Sequence, residues 1–222
     1  MMKRFLDIIF SFLAILLLSP LLLPLILLLR FSGEGHIFYK QERIGLNGRP
    51  FYLFKFATMF IDSPNMEGGN ITSKNDPRIL PIGGFLRKYK INELPQIFNV
   101  LIGEMSIIGR RPTVKEHFDF YEEEVIDIIK KNKPGLSGIS SIIFRDEEIY
   151  FVSEDSKENK IFYSQKIAPF KGALEVWYSK NQSLYIDIIL IILTLLTIFL
   201  PSNNFHNYIF YDLPKHPLFN PE

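Results

Sequence analysis

Basic residues cluster around Glu93 in the stretch of residues 74–112. They include Arg78, Arg87, Lys88, Arg110 and Arg111. Arginine side chains bind phosphate oxygens through two parallel hydrogen bonds, and a carboxylate among such cations can hold Mg²⁺ on a pyrophosphate. The stretch therefore predicts a site for a diphosphate and Mg²⁺. Surface ion pairs around a structural helix are the alternative that the pattern leaves open.

A helix is predicted to begin inside this stretch. Asn92 can cap a helix that begins at Glu93, where Pro95 is tolerated in the first turn. Apolar residues recur at helical spacing between Leu94 and Leu101, and Gly103 is expected to end the helix. Free N–H groups at a helix N-terminus bind anions. The sequence thus places the basic cluster around an anion-binding helix start.

The bulk composition limits the class of protein. The chain has 222 residues, with 25 Lys+Arg against 24 Asp+Glu. This balance argues against a general nucleic-acid partner, because a basic excess is needed to neutralise phosphates along a duplex. The chain has no cysteine, which excludes disulfides and thiolate metal sites.

Residues 5–29 are almost entirely apolar and long enough to enter a bilayer. Pro20 removes a helix hydrogen bond and clashes with the preceding turn, so a kink or break is expected there, with Ser19 available to bond a freed carbonyl. A cleaved signal peptide and a straight span are the rival interpretations. A signal peptide is disfavoured because the apolar run is too long and lacks a small-residue cleavage site.

Charge at the two ends of this segment favours a hairpin over a straight span. Lys3 and Arg4 precede the apolar run, and Arg30 follows it. Since basic flanks prefer the cytoplasm, a helix broken at Ser19-Pro20 that enters and leaves on the cytoplasmic face satisfies both ends. We therefore predict a monotopic protein with a re-entrant, broken N-terminal helix.

The rest of the chain predicts a mostly helical α+β protein. Residues 36–60 alternate like short strands, and 113–131 and 153–180 have helical patterns. Residues 184–200 are predicted to form an apolar helix. A thin polar stripe favours packing on the domain or lying at the membrane interface, and a membrane span is the alternative. The Pro- and Asn-rich tail is expected to be irregular.

The predicted organisation has four parts. Residues 1–32 form the membrane hairpin, 33–183 a cytoplasmic domain, 184–200 the interfacial or membrane helix, and 201–222 the tail.

A set of short motifs resembles the bacterial sugar transferases, the monotopic polyprenyl-phosphate phosphoglycosyl transferases. The resemblance covers nearly the whole chain and begins with the anchor and its Ser19-Pro20 break. The other matching motifs are Phe38-Tyr39 with Gln41, Arg43 and Gly45; Lys55-Phe56 with Met59; Asn75 to Arg78; Glu93 to Gln96; Asn99 to Leu101; Gly103 to Ser106; Lys133 to Ser137 with Gly138; and Ser183-Leu184 with Asp187.

The resemblance implies a function and its partners. Such enzymes move a sugar phosphate from a nucleotide diphospho-sugar, here expected to be UDP-linked, to polyprenyl (undecaprenyl) phosphate. This is the first membrane step of polysaccharide biosynthesis, and it takes place on the cytoplasmic face of the bacterial inner membrane. Mg²⁺ is the implied cofactor, with Glu93 as its carboxylate ligand. The implied phosphate ligands are Lys55, Arg78, Arg87 and Arg111, whereas the sugar and any homo-oligomer are not specified.

One departure bears on the chemistry. The family's catalytic dyad is Asp-Glu, and its Asp attacks the β-phosphate to form a covalent intermediate, whereas this chain has Asn92-Glu93. An amide is a poor nucleophile and a weaker metal ligand. The substitution could be engineered, or natural with Glu93, Glu104 or Asp76 taking over. The chain could also be a non-catalytic relative that binds nucleotide sugar or polyprenyl phosphate as a regulatory or scaffold protein.

A second departure concerns the cations. Arg110 replaces a family proline, and it is expected to contribute one cation to the phosphate site.

Overall fold

The structure is a computed structural model that describes residues 2–73, 75–153, 155–200 and 204–219. Its helices are α1 (Met2–Arg30), α2 (Pro81–Lys88), α3 (Gln96–Ile102), α4 (Lys115–Phe118), α5 (Glu123–Ile129), α6 (Ile139–Ile143), α7 (Ser156–Phe162), α8 (Ala168–Asn181), α9 (Leu184–Phe199) and α10 (Phe205–Ile209). Its strands are β1 (Phe38–Ile44), β2 (Pro50–Phe56), β3 (Ser106–Ile108) and β4 (Gly135–Ser137). This arrangement confirms the predicted mostly helical α+β class.

Helix α1 runs through the predicted break without ending. The N–H that Pro20 lacks would have bonded the carbonyl of Leu16, four residues earlier. The Ser19 hydroxyl donates to that same carbonyl at 2.8 Å, so the oxygen is not left unsatisfied in an apolar segment. Ser19 therefore makes the bond that the sequence predicted for it, and the helix continues to Arg30.

Both ends of α1 are attached to the rest of the protein. At the N-terminal end, the Arg4 guanidinium donates to the carbonyls of Val100 and Leu101 at the end of α3. At the other end, Leu29 is 1 % exposed and belongs to an apolar cluster against which Leu94 packs. Leu94 and Leu101 are about 10 Å apart along a helix, whereas a straight α1 would separate Arg4 from Leu29 by about 37 Å. These anchors indicate that α1 bends between its ends.

Polar residues reinforce the N-terminal anchor. Lys3 Nζ lies 2.8 Å from both Asp187 Oδ2 on α9 and the Tyr178 hydroxyl on α8. The Asp7 carboxylate accepts hydrogen bonds from the Ser106 hydroxyl and from the Ile107 N–H of β3. Lys3, which the sequence analysis treated as a membrane flank, and Asp7 thus dock α1 onto α8, α9 and β3.

The predicted strands form an antiparallel hairpin. Strands β1 and β2 pair from Phe38 with Phe56 to Ile44 with Pro50. The connection contains Asn47 and Gly48, both with positive φ, as a tight hairpin turn requires. A second, parallel pair joins β3 to β4. Leu53 and Met105, which are 1 % and 0 % exposed, pack in one cluster between the two pairs.

Three helical predictions need correction. The region 113–131 is divided into α4 and α5 rather than one helix. The helix expected at Glu93 begins at Gln96, preceded by a 3-10 turn at Ile91–Glu93. Pro95 has no N–H for the Ile91 carbonyl, so regular α-helical bonding starts after it. The tail is also not simply irregular, since part of it forms α10. Gly103, in contrast, ends α3 with a φ of 93°, as predicted.

The main core lies around α8 and α9. Leu174, Tyr178, Leu190 and Leu193 are each 1 % exposed or less. Burying an apolar side chain of this size stabilises the fold by roughly 1.5–3 kcal/mol. Helix α9 buries one face here, including Leu190 and Leu193, and exposes the other to its surroundings.

The tail contributes to the same core. Phe210, Leu213 and Phe219 are buried, and Trp177 Nε1 donates to Asp212 at 2.9 Å. Trp177 is therefore a core residue. Residues 201–203 and 220–222 of the predicted tail lie outside the described residues.

Candidate active site

A polar cavity of about 200 Å³ lies between the β1–β2 hairpin, the end of α2, the 3-10 turn and α8. Seven cationic side chains but only three carboxylates line it. The cations are Arg43, Lys55, Arg87, Lys90, Arg111, Arg145 and Lys171, and the carboxylates are Glu93, Glu147 and Glu148. Such an excess of positive charge in a confined space favours a ligand with several negative charges.

The hairpin presents one row of these side chains. Tyr39, Gln41 and Arg43 alternate along β1, and Lys55 on β2 is paired with Tyr39. Because alternate residues of a strand and their directly opposite partners share one face, the hairpin brings Arg43 and Lys55 to the same cavity.

The 3-10 turn brings Asn92 and Glu93 to the cavity. Lys90 precedes the turn with a left-handed φ of 57°, and its ammonium donates to the Arg145 carbonyl at 2.6 Å. Asn92 is 5 % exposed, and it makes no side-chain cap to a helix. Within the described part of the chain its buried Oδ1 has no hydrogen-bond partner. The predicted role of Asn92 as a helix cap is therefore wrong, because the helix starts beyond Pro95.

Glu93 lies at the centre of the cationic end of the cavity. Burial would raise the pKa of its carboxyl, but Lys55, Arg111 and Lys90 outweigh this effect and lower the pKa below its ordinary value. Glu93 is therefore ionised at neutral pH.

Lys55 has a lower pKa than an ordinary lysine. Burial lowers the pKa of Lys55 to about 7, and the charge of Arg43 adds to the effect. The Lys55 amine is therefore only partly protonated at neutral pH. A bound anion would favour its protonated, charged form.

Arg111 interacts electrostatically with two carboxylates. Burial would lower the pKa of its guanidinium, but Glu93 and then Glu147 raise it. Its backbone N–H donates to Glu175 Oε1 at 2.9 Å, and one terminal nitrogen donates to the Ser141 hydroxyl at 3.2 Å. The backbone is thus fixed, while most of the guanidinium donors face the cavity.

Arg78 does not line the cavity, contrary to its predicted role as a phosphate ligand. It is 3 % exposed, and its nitrogens donate to the Asp76 carboxylate and to three backbone carbonyls. Those carbonyls belong to Ser63, Gly69 and Ile71. All five N–H donors of the guanidinium are used, so Arg78 organises the 63–71 loop instead.

Arg110 is also structural, contrary to the expectation that it adds a cation to the site. It is 1 % exposed and donates to the carbonyls of Ile44, Gly45 and Asn132. Its chain neighbour Arg111 faces the cavity, as predicted.

Of the other predicted ligands, Lys55, Arg87 and Glu93 all line the cavity. Neither Asp76 nor Glu104, the suggested replacements for a dyad carboxylate, does so. Asp76 is paired with Arg78, and Glu104 accepts a hydrogen bond from Asn99 at 2.8 Å.

Sequence reasoning missed three residues of the site. Arg43 belongs to a recognised motif but was not assigned a role. It lines the cavity and donates to the Pro112 carbonyl and to Gln41, while its buried Nε has no partner among the described residues. Glu147 and Lys171 form a buried pair at the far end of the cavity. No local pattern marks Glu147, which lies in a short acidic run.

The donor atoms at the cationic end are compatible with Mg²⁺. The Glu93 carboxylate and the unpartnered Asn92 amide oxygen are both hard oxygen donors, and substrate phosphates usually complete such a site. The described residues include no group of three or more His, Cys, Asp or Glu side chains that could hold a metal without a substrate.

Sequence comparison places the chain in a known family. The profile of the bacterial sugar transferases matches residues 1–201, and the protein belongs to this family. Its similarity to the exopolysaccharide production protein ExoY of Rhizobium meliloti is 32 % identity, covering 88 % of this chain and 84 % of that protein.

Two longer relatives are named for an enzymatic activity. A UDP-glucose:undecaprenyl-phosphate glucose-1-phosphate transferase of Xanthomonas campestris is 35 % identical over 86 % of this chain and 37 % of its own length. A UDP-N-acetylgalactosamine-undecaprenyl-phosphate N-acetylgalactosaminephosphotransferase of Aeromonas hydrophila is 32 % identical over 88 % of this chain and 43 % of its own length. The chain therefore spans less than half of these two relatives. The family and α1, whose length and hydropathy would let it cross a membrane, make this a membrane-associated sugar transferase.

Proposed function

We propose that this protein transfers a sugar phosphate from a UDP-sugar to undecaprenyl phosphate. The observation that carries the proposal is the cavity in which Lys55, Arg87 and Arg111 surround an ionised Glu93. Two phosphorylated substrates carry several negative charges, which this excess of cations can neutralise. The activities for which the longer relatives are named support the same substrates.

In the proposed reaction, an oxygen of the polyprenyl phosphate forms a bond to the β-phosphorus of the UDP-sugar. The bond from that phosphorus to the bridging oxygen breaks, and uridine monophosphate leaves with the electron pair. Arg87, Arg111 and protonated Lys55 hold the diphosphate and offset the charge on its oxygens.

Glu93 and the amide oxygen of Asn92 would hold Mg²⁺, which when bound neutralises charge on the phosphates. Asn92 itself cannot supply the carboxylate nucleophile that the family resemblance assigns to its position. We propose direct attack by the polyprenyl phosphate, because this route requires no nucleophile at residue 92.

Release of uridine monophosphate in the presence of undecaprenyl phosphate tests the proposal. The protein, its Asn92→Asp form and its Glu93→Gln form are compared in one membrane preparation. We expect slow release by the protein, faster release by Asn92→Asp, and none by Glu93→Gln. Release by Asn92→Asp alone would mean that this chain binds rather than transfers. A folded protein inactive in both forms would overturn the function.

We further propose that the protein lies on the cytoplasmic face of the inner membrane with α1 as a re-entrant hairpin. The support is that both Arg4 and Leu29, at opposite ends of α1, contact the same domain. A straight span would place these ends on opposite sides of the bilayer. Exposed apolar residues along α9, such as Ile188, Ile192 and Leu195, suit a helix lying in the interface.

Cysteines at Met2 and Ser32 test this topology in a chain that has no other cysteine. Both are expected to react with a membrane-impermeant reagent from the cytoplasmic side alone. Labelling of the two positions from opposite sides would rule out the hairpin.

A further inference from the structure

The cavity has two chemically different ends that share Arg111. At the first end, the charges that act most strongly on Glu93 are those of Lys55, Arg111 and Lys90. At the second end, the charges that act most strongly on Glu147 are those of Lys171 and Arg111. Arg111 therefore acts on both carboxylates, and each carboxylate also has cations of its own.

The Glu147 carboxylate is held in a fixed position. Its Oε2 accepts a hydrogen bond from Lys171 Nζ at 2.6 Å. The Lys171 side chain is 3 % exposed, and its ammonium lies 4.9 Å from the Phe144 ring centroid and 5.1 Å from that of Tyr163. Burial and two ring contacts leave this lysine little freedom, so the carboxylate that it bonds is also immobilised.

The second end suits an uncharged group that carries hydroxyls. His117 adds no charge there, because burial lowers its pKa to about 4. A fixed carboxylate repels a phosphate, but it accepts hydrogen bonds from hydroxyl groups. Aromatic side chains, among them Phe144, Phe151 and Tyr163, line the same part of the cavity and can cover the apolar face of a sugar ring.

We propose that Glu147 accepts hydrogen bonds from sugar hydroxyls of the nucleotide sugar, and that Lys171 positions Glu147 for this contact. The proposal rests on the proposed function, because it concerns the same substrate. The hydroxyls belong either to the transferred sugar or to the ribose, since hydroxyls of both can donate hydrogen bonds to a carboxylate. Contact with the transferred sugar would make Glu147 a specificity-determining residue.

Calorimetric binding of three probes to the full-length protein in detergent tests the proposal. Pyrophosphate has no hydroxyl-bearing ring, UDP has ribose, and UDP-glucose has both ribose and a hexose. For Glu147→Gln we expect UDP-glucose to bind about 10- to 100-fold more weakly, since hydrogen bonds to charged groups are the stronger ones. Pyrophosphate should bind as well as before or more tightly, because a negative charge has been removed.

The comparison of UDP with UDP-glucose separates the two sources. Weaker binding of UDP-glucose alone assigns the contact to the transferred sugar, whereas an equal loss for UDP assigns it to ribose. Weaker binding of pyrophosphate, or unchanged binding of all three probes, would overturn the proposal. Glu123→Gln, on the exposed surface of α5, is the matched control and should change nothing.

Glu147→Gln leaves Lys171 buried without its charged partner, so this variant could fail to fold. A second variant keeps the test decisive in that case. The double variant Glu147→Gln with Lys171→Met removes both charges, and it should show the same probe selectivity. If the protein binds UDP-glucose but releases no uridine monophosphate, only the proposed function fails. If transfer is normal and Glu147→Gln binds every probe unchanged, only this inference fails.

Discussion

Two pairs of arginines in this protein differ in what their donors bond. Arg78 and Arg110 are 3 % and 1 % exposed, and backbone carbonyls and the Asp76 carboxylate take up their N–H groups. Arg43 and Arg111 are half-buried beside the cavity and make fewer such bonds. Arg43 donates to the Pro112 carbonyl and to Gln41, with its Nε unpartnered among the described residues, and Arg111 makes one side-chain bond, to Ser141. Arginine is a suitable phosphate ligand in all four cases. The difference teaches that a buried arginine with every donor used supports the fold, whereas one with donors left in a cavity can bind a ligand.

The largest effect on activity is expected for Arg111→Ala. Loss of a preorganised donor to the charge that develops on phosphate should lower the rate of uridine monophosphate release by about 100- to 1,000-fold. The thermal unfolding midpoint should fall less than for Arg78→Ala, because the Arg111 side chain makes only one hydrogen bond among the described residues. Arg49→Ala, at an exposed position in the β1–β2 connection, is the control. Unfolding of Arg111→Ala would contradict the distinction between the two pairs.

The largest effect on stability is expected for Arg78→Ala. The change leaves the Asp76 carboxylate buried without its ion-pair partner at 2.6 Å, and the free energy of unfolding should fall by about 3–5 kcal/mol. Chemical unfolding measures the loss, and the rate per folded molecule should be nearly unchanged. A strong loss of rate with normal stability would place Arg78 in the site after all.

A smaller effect is expected from pH, through Lys55. A lysine is charged below its pKa, so Lys55, with a pKa of about 7 in the free protein, loses its proton as the pH rises above 7. Since the phosphates require the charged form, the dissociation constant for a UDP-sugar should rise by up to about tenfold per pH unit above 7.

The control for this pH effect is Lys55→Arg. Because arginine stays protonated throughout this range, the variant should bind with little dependence on pH. Calorimetry at several pH values measures both proteins. A pH-independent affinity of the unchanged protein would show that Lys55 does not face the phosphates.

The smallest effect is expected for Ser19→Ala, which applies the same distinction to the membrane helix. Ser19, like Arg78, donates to a backbone carbonyl and is therefore assigned to the fold. Its loss should lower the free energy of unfolding in detergent by about 0.5–1.5 kcal/mol, without changing the rate per folded molecule. Ser19→Thr keeps the hydroxyl and is the control. A large loss of rate at normal stability would break the assignment.

Sequence reasoning predicted local features well and the partners of buried side chains poorly. The short strands within residues 36–60 were predicted from their alternating pattern, and the end of α3 at Gly103 because glycine readily adopts a positive φ. The start of α3 was predicted too early in the sequence. Pro95 has no N–H for the Ile91 carbonyl, so the helix begins after Pro95 and not at an Asn92 cap. The roles of Arg78 and Arg110 were misassigned because no local pattern shows which backbone carbonyls they bond. The partners of Arg78 lie in the preceding loop, and Ile44 and Gly45, which bond Arg110, lie far away in the sequence.

By itself, the sequence determined the apolar anchor with its Ser19-Pro20 step, the family motifs and the basic residues around Glu93. Periodicity, proline chemistry and composition act over a few residues, so these features are readable without a fold. Only the tertiary structure decided which arginines face the cavity. It also decided that Lys3, Arg4 and Asp7 dock α1 onto the domain, and that Glu147 and Lys171 complete the site. These assignments depend on which donors remain unpaired after distant segments have packed together, and local sequence does not contain that information.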